Sequence, residues 1–208
     1  MTKTEIDPGL NFFGHLVDFD CHIQDLKLVL KKTEEIEFPE HEGVDDDETL
    51  ISDIFPDITR KSFVVMLLIA LDDQFKVFCE ILRGATGQKL KWNELRGSSL
   101  ERFVTYGEKV CGLPSVCDDS TRQLVEGLIE VRNCIVHNNS ALEGFNKAKV
   151  IERFAKAMKG VAIQEGYVSL DLAACNKCAD IVLGFMEHGY RAALKVFPYK
   201  GMVSGLHY

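Results

Sequence analysis

Residues 62–84, SFVVMLLIALDDQFKVFCEILRG, decide how this chain folds. Their length and their apolar positions predict a helix from about Ile58 to Leu82. The first half is apolar nearly all round, which is expected of a helix at the centre of a fold. Its most apolar run, Phe63 to Leu71, stops at Asp72-Asp73. A membrane span needs about 20 such residues, so a soluble protein with no membrane partner is expected.

The flanking sequence reads the same way. Phe12, Leu16, Phe19, Ile23, Leu26 and Leu30 repeat at helical spacing in residues 10–33. Downstream, Ser98 or Ser99 can cap a third helix that Gly112 and Pro114 end. Asp118, Asp119 or Ser120 can cap a fourth, with its stripe at Leu124, Leu128, Val131 and Ile135. Residues 147–159 predict a short basic helix, and GVAIQEGYVSL around Gly166 predicts a small hairpin. A long last helix is expected from about Asp171 to Phe197, apolar on one face. The expected fold class is all-α, an up-down helical bundle with a small β-hairpin before the last helix. The chain of 208 residues, 46% hydrophobic, suits one domain over residues 1–208.

Charge is unevenly spread. The net charge is −8, yet residues 34–57 hold eleven acids and no Lys or Arg. This window, punctuated by Pro39, Gly43 and Pro56, reads as a solvated connecting segment. A sharper reading makes it an acidic flap over a basic site. The opening MTKTEIDPGL has no apolar signal-peptide core, and with seven cysteines it predicts buried thiols in a reducing, cytoplasmic setting. Cys175-x-x-Cys178 lies inside a predicted helix without a second ligand pair, so no metal and no cofactor are expected. His15, His22, His188 and His207 read as surface or packing residues.

The segment EVRNCIVHNNS, residues 130–140, carries a polar set that a core helix does not need. Arg132 and His137 are five residues apart, roughly 140° around a helix. Asn133 and His137 share a face. Arginine offers a permanent forked charge for phosphate, and histidine moves protons near neutral pH. Together they suffice to cleave RNA without a metal. For both to reach one phosphate, the helix must end near His137 or a second copy must supply the other half. A polar cap at a helix end is the plain alternative. Lys147, Lys149 and Arg153 follow directly, as a solvated face or as a footprint for the RNA backbone.

RNCIVHNNS resembles the R-x(4–6)-H signature of HEPN domains, with a polar residue after the arginine. SFVVMLLIALDDQFKVFCEILRG, LRGSSLERFVTYGEKVCGLP and VSLDLAACNKCADIVLGFMEHGY are similar to helices of one uncharacterised HEPN-like group, so the likeness covers about residues 60–195. The resemblance implies an all-α, usually homodimeric, often metal-independent endoribonuclease of phage-defence or toxin–antitoxin systems. An antitoxin or defence-system protein would be a further partner. It implies catalytic places for Arg132 as the phosphate clamp, His137 as base or acid, and Asn133, the polar residue beside the arginine, as the group that orients the imidazole. Asp72 would stand where that group often has a glutamate in its central helix, and Asn138 is a further supporting candidate. Other HEPN domains bind nucleotides or act as dimerisation scaffolds, so a non-catalytic module binding a protein or nucleotide is the second expectation.

Overall fold

Helix formation follows the apolar periodicity closely. The computed structural model describes residues 7–36 and 47–199, with side chains from Ile54 onward in the second stretch. Six α-helices appear among them: α1 (Pro8–Glu34), α2 (Asp47–Thr86), α3 (Ser99–Thr105), α4 (Asp119–Asn138), α5 (Ala148–Ala157) and α6 (Leu172–Val196). The strands β1 (Val161–Gln164) and β2 (Tyr167–Leu170) pair antiparallel, Val161 opposite Leu170 and Gln164 opposite Tyr167. Their turn is Glu165-Gly166, both at positive φ (51° and 86°), the two-residue turn whose twist matches the strands. The all-α class with a small hairpin before the last helix is therefore observed.

Helix ends follow local chemistry. Ser98 caps α3 by accepting from the Glu101 amide, while the Glu101 carboxylate accepts from the Ser98 amide. A π-helical turn, Tyr106–Val110, continues α3 before the chain leaves it at Gly112, whose φ is 71°. Asp118 precedes α4, and its carboxylate accepts from the Thr121 amide.

Two expectations about α2 are corrected. The helix begins at Asp47, so residues 47–57 of the acidic window are helical and Pro56 lies inside α2. An internal proline removes one hydrogen bond and crowds the preceding turn, at about 3 kcal/mol. Here the helix is anchored just beyond it. Arg60 donates Nε and Nη2 to the Glu34 carboxylate at the end of α1, and Lys61 pairs with Asp57. Pro39, Gly43 and the rest of residues 37–46 lie outside the described residues. The second correction concerns burial. Phe63, Val64, Leu67, Leu68 and Leu71 are buried, but Ile58, Met66 and Ile69 are 55%, 42% and 62% exposed. One side of the helix expected at the centre is open.

The described chain divides into two compact units, to both of which α1, α2, α4 and α6 contribute. The first comprises residues 7–21, 70–122 and 183–199. Its core is aromatic: Phe103 stacks on Phe75 at 4.5 Å between centroids and also meets Phe78 and Phe185. The buried Tyr190 hydroxyl donates to Gln74.

The second unit comprises residues 22–36, 47–69 and 123–182, and it holds the motif. Val125, Leu128, Val131 and Cys134 line the buried face of α4. Alpha5 packs on α4 at Gly127, where a Cβ would stand 2.5 Å from the Phe154 ring. Alanine normally stabilises a helix interior relative to glycine. Gly127→Ala is expected instead to lower stability by about 1–3 kcal/mol, because it overpacks this crossing. Urea denaturation followed by circular dichroism measures the difference.

Candidate functional site

Helix α4 does not end before the motif is complete. It stays α-helical through Asn138, so Arg132 and His137 keep their separation of roughly 140° around one regular helix. Arg132 is half-buried at the edge of the packed face. Its Nε is closed off from solvent with no hydrogen-bond acceptor among the described residues, while the side chain is engaged otherwise. His137 is exposed, and Val136, half-exposed at 50%, lies angularly between them. Within one chain, the two groups do not converge on a common atom.

The C-terminal end of the motif is tied down. Asn139 and Ser140 adopt positive φ (48° and 66°), a conformation that costs a non-glycine residue about 1–2 kcal/mol. The Ser140 amide donates back to the Cys134 carbonyl at 3.0 Å, closing the helix. The chain then runs onto the hairpin: Val168 N–H donates to Ser140 O, Leu142 N–H donates to Gly166 O, and Ala141 bridges to Tyr167. Asn138 completes the lock. Its amide nitrogen donates to the carbonyls of Ala141 and Glu143. Asn138 thus holds the loop, and its donors are occupied.

Asn133 shares the His137 face but does not bond the imidazole. Its amide nitrogen donates to Glu130 at 3.3 Å, and the other Glu130 oxygen accepts from Lys147 Nζ at 3.0 Å. Glu130, Asn133 and His137 follow one another along one side of α4. The sequence reading missed Glu130. Its spacing of three from Asn133 was visible, but Lys147 is seventeen residues away and its arrival depends on the loop. The Lys147 side chain is 60% exposed, so solvent screens the pair and it contributes about 0–1 kcal/mol. Beyond it, Lys149, Arg153 and Lys156 line the outer face of α5 with Glu152 among them.

Asp72 lies in the first unit, half-buried on α2 and engaged in a polar interaction. Cys175 and Cys178 are buried in α6. Burial pushes the Cys175 thiol up to about 12 and the Cys178 thiol still higher, which keeps both protonated and unreactive. No cluster of three or more His, Cys, Asp or Glu side chains suited to a metal occurs among the described residues. No described helix is long and apolar enough to cross a membrane. Comparison of the chain with protein-family models, with curated proteins and with solved structures finds no match.

Asn138→Ala is expected to destabilise the protein by about 1–3 kcal/mol, since two loop carbonyls lose their donor. Hydrogen exchange should quicken at the amides of residues 141–145 while α4 upstream of Val131 stays protected. Asn138→Asp, which also lacks the donors and adds charge beside two carbonyls, should be at least as disruptive.

Proposed function

We propose that this protein is a metal-independent endoribonuclease of HEPN type that works as a homodimer. The observation that carries the reading is the pairing of a half-buried arginine with an exposed histidine on one helix that stays regular to Asn138. The two side chains diverge within a chain, so a shared phosphate requires Arg132 of one copy and His137 of the other. A two-fold axis near Val136 would create two such sites.

The chemistry then follows from the groups themselves. A neutral His137 takes the proton of a ribose 2′-hydroxyl, whose oxygen attacks the adjacent phosphorus. The P–O5′ bond breaks, the leaving 5′-oxygen takes a proton from solvent water, His137 returns its proton to solvent, and the products end in a 2′,3′-cyclic phosphate and a 5′-hydroxyl. Arg132 neutralises the charge that grows on the phosphoryl oxygens. Asn133 donates to Glu130 rather than to the imidazole, so on this reading it lines the site on the His137 side of α4 and does not orient the ring. Lys147, Lys149 and Arg153 continue the positive edge along which an RNA backbone would run. The setting that the HEPN resemblance implies is phage defence or a toxin–antitoxin pair.

The divergence of Arg132 and His137, with the Asn138 amide committed to the loop, favours a second reading. The chain would then be a non-catalytic dimeric module that binds a protein or nucleotide partner.

Purified protein is expected to cleave mixed structured and single-stranded RNA in the presence of EDTA, leaving cyclic phosphate ends. Arg132→Ala and His137→Ala should each reduce the rate by about 10²–10⁴ with unchanged circular dichroism. Mixing the two inactive variants should restore activity, because one of the two sites in a mixed dimer is intact. Full activity in His137→Ala, or no cleavage by any sample, would remove the nuclease reading in favour of the binding module.

A further inference from the structure

The only tryptophan of the chain stands outside the core. Trp92 opens a 3₁₀ turn, Trp92–Glu94, between α2 and α3, and no residue of that turn is buried. Large aromatic rings dominate core energetics, so one left half-buried on a surface loop calls for another use. One face of the ring carries the Arg102 guanidinium, 4.9 Å from the ring centroid. Arg102 Nε is shut off from solvent with no acceptor among the described residues, so the guanidinium forgoes a hydrogen bond to stay on the ring. Lys89, Lys91 and Arg96 belong to the same loop, and all three are exposed and form no ion pair among the described residues. Residues 87–102 thus hold four cations (Lys89, Lys91, Arg96, Arg102) and two acids, in a chain of net charge −8. Both acids are turned to backbone amides: Glu94 accepts from Lys91 N–H at 2.8 Å, and Glu101 from Ser98 N–H at 2.7 Å. The loop is also fastened to the fold. The buried Tyr106 donates its hydroxyl to Leu90 O at 2.8 Å, and Gln88 Nε2 donates to Val110 O at 3.0 Å.

We infer that residues 89–102 are a docking platform for single-stranded nucleic acid. The platform lies in the first unit and goes beyond the nuclease reading, which uses only α4 and α5. Three properties select the ligand. Unpaired cations on a net-acidic protein favour an anion. The half-buried indole adds the requirement of a flat π-face, since bases stack on aromatic rings whatever their sequence. An acidic peptide satisfies the cations but leaves the ring without a stacking partner. A duplex offers phosphates but keeps its bases stacked inside, whereas the bases of a single strand splay out onto aromatic side chains. The tethers, finally, fix the loop before the ligand arrives, so little ordering is lost on binding. In the bound state a base lies against the open part of the Trp92 ring. Arg102 stays on the ring, with Nη1 bonded to no described residue and available to a phosphate. Lys89, Lys91 and Arg96 meet neighbouring phosphates.

A single tryptophan makes the test direct, because every change in indole emission comes from Trp92. The full chain is titrated with single-stranded DNA of about 12 nucleotides in about 50 mM salt with EDTA. DNA lacks the 2′-hydroxyl, so the proposed cleavage cannot occur and binding is read alone. A saturable loss of Trp92 emission is expected, and a matched duplex should leave the emission unchanged. The affinity should fall with salt at a log–log slope of about −2 to −3, as three or four phosphate contacts on a single strand give. Anisotropy of a labelled strand reads the variants. Trp92→Ala should weaken binding by about 10–100-fold, and Trp92→Phe, which keeps a flat ring, should recover most of the loss. Lys89→Ala combined with Lys91→Ala and Arg96→Ala should weaken it at least as much and flatten the salt slope, with unchanged circular dichroism, since all three side chains are exposed. No binding of the single strand would overturn the inference, as would binding with unchanged Trp92 emission. Binding lost only when Lys147, Lys149 and Arg153 are replaced would overturn it too. A polyglutamate peptide that binds as tightly as the DNA would assign the surface to an acidic protein instead. The outcome is separable from the nuclease reading. DNA bound at Trp92 by a protein that never cleaves RNA leaves the platform standing. Cleavage of RNA by a protein whose Trp92→Ala variant binds DNA as well as the wild type removes the platform and keeps the chemistry.

Discussion

The regularity of α4 up to Asn138 is the constraint on which the site depends. A helix that frayed after Ile135 would let His137 swing toward Arg132. Instead the last turn is closed by the Ser140 amide on the Cys134 carbonyl and held by the Asn138 side chain across the following loop. The hairpin adds a second anchor, because Ser140 and Leu142 exchange backbone hydrogen bonds with Val168 and Gly166. Two non-glycine residues accept a left-handed conformation for this purpose. Such local strain persists only where the surroundings over-determine it. The arrangement spends conformational energy to keep the motif rigid, and rigidity fixes the angle between its two chemical groups.

That angle divides α4 into sides with different chemistry. Arg132 lies half-buried at the margin of the packed face, where partial burial lowers the effective dielectric around its charge. His137 is exposed on the side of α4 that also carries the half-buried Asn133 and Glu130. Glu130 restrains both Asn133 and Lys147. The basic face of α5 starts from that lysine, so the carboxylate of Glu130 stands where a phosphate would have to displace it. A net charge of −8 is compatible with an anionic ligand because the acids concentrate in residues 34–57 while α5 carries a local excess of cations.

The exposed stripe of α2 connects the fold to the same question. Burial on one side only is ordinary for an amphipathic helix, but this one has isoleucine and methionine where an amphipathic helix has charge. Lys61 and Ser62 are the polar residues of that side, and they sit beside the groove that leads to α4. The exposed apolar stripe and the end of α4 are therefore neighbours in the same unit.

Most of the fold was legible in the sequence because its signals are local. Ser98 with Glu101, Asp118 with Thr121, and Glu165-Gly166 each act within a few residues, so the sequence narrowed the caps to Ser98 or Ser99 and to Asp118, Asp119 or Ser120 and placed the hairpin around Gly166. The start of α2 could not. Pro56 is a local argument for a break, and it was outweighed by a helix anchored through Arg60 to Glu34, twenty-six residues earlier. The 140° between Arg132 and His137 also followed from the sequence, since it depends only on helical geometry. What only the tertiary structure decided is that the helix continues far enough to keep that angle, that Asn138 serves the loop, and that Glu130 holds Lys147. Each depends on groups brought together by the turn after α4 and by the hairpin beneath it, contacts that sequence spacing does not encode.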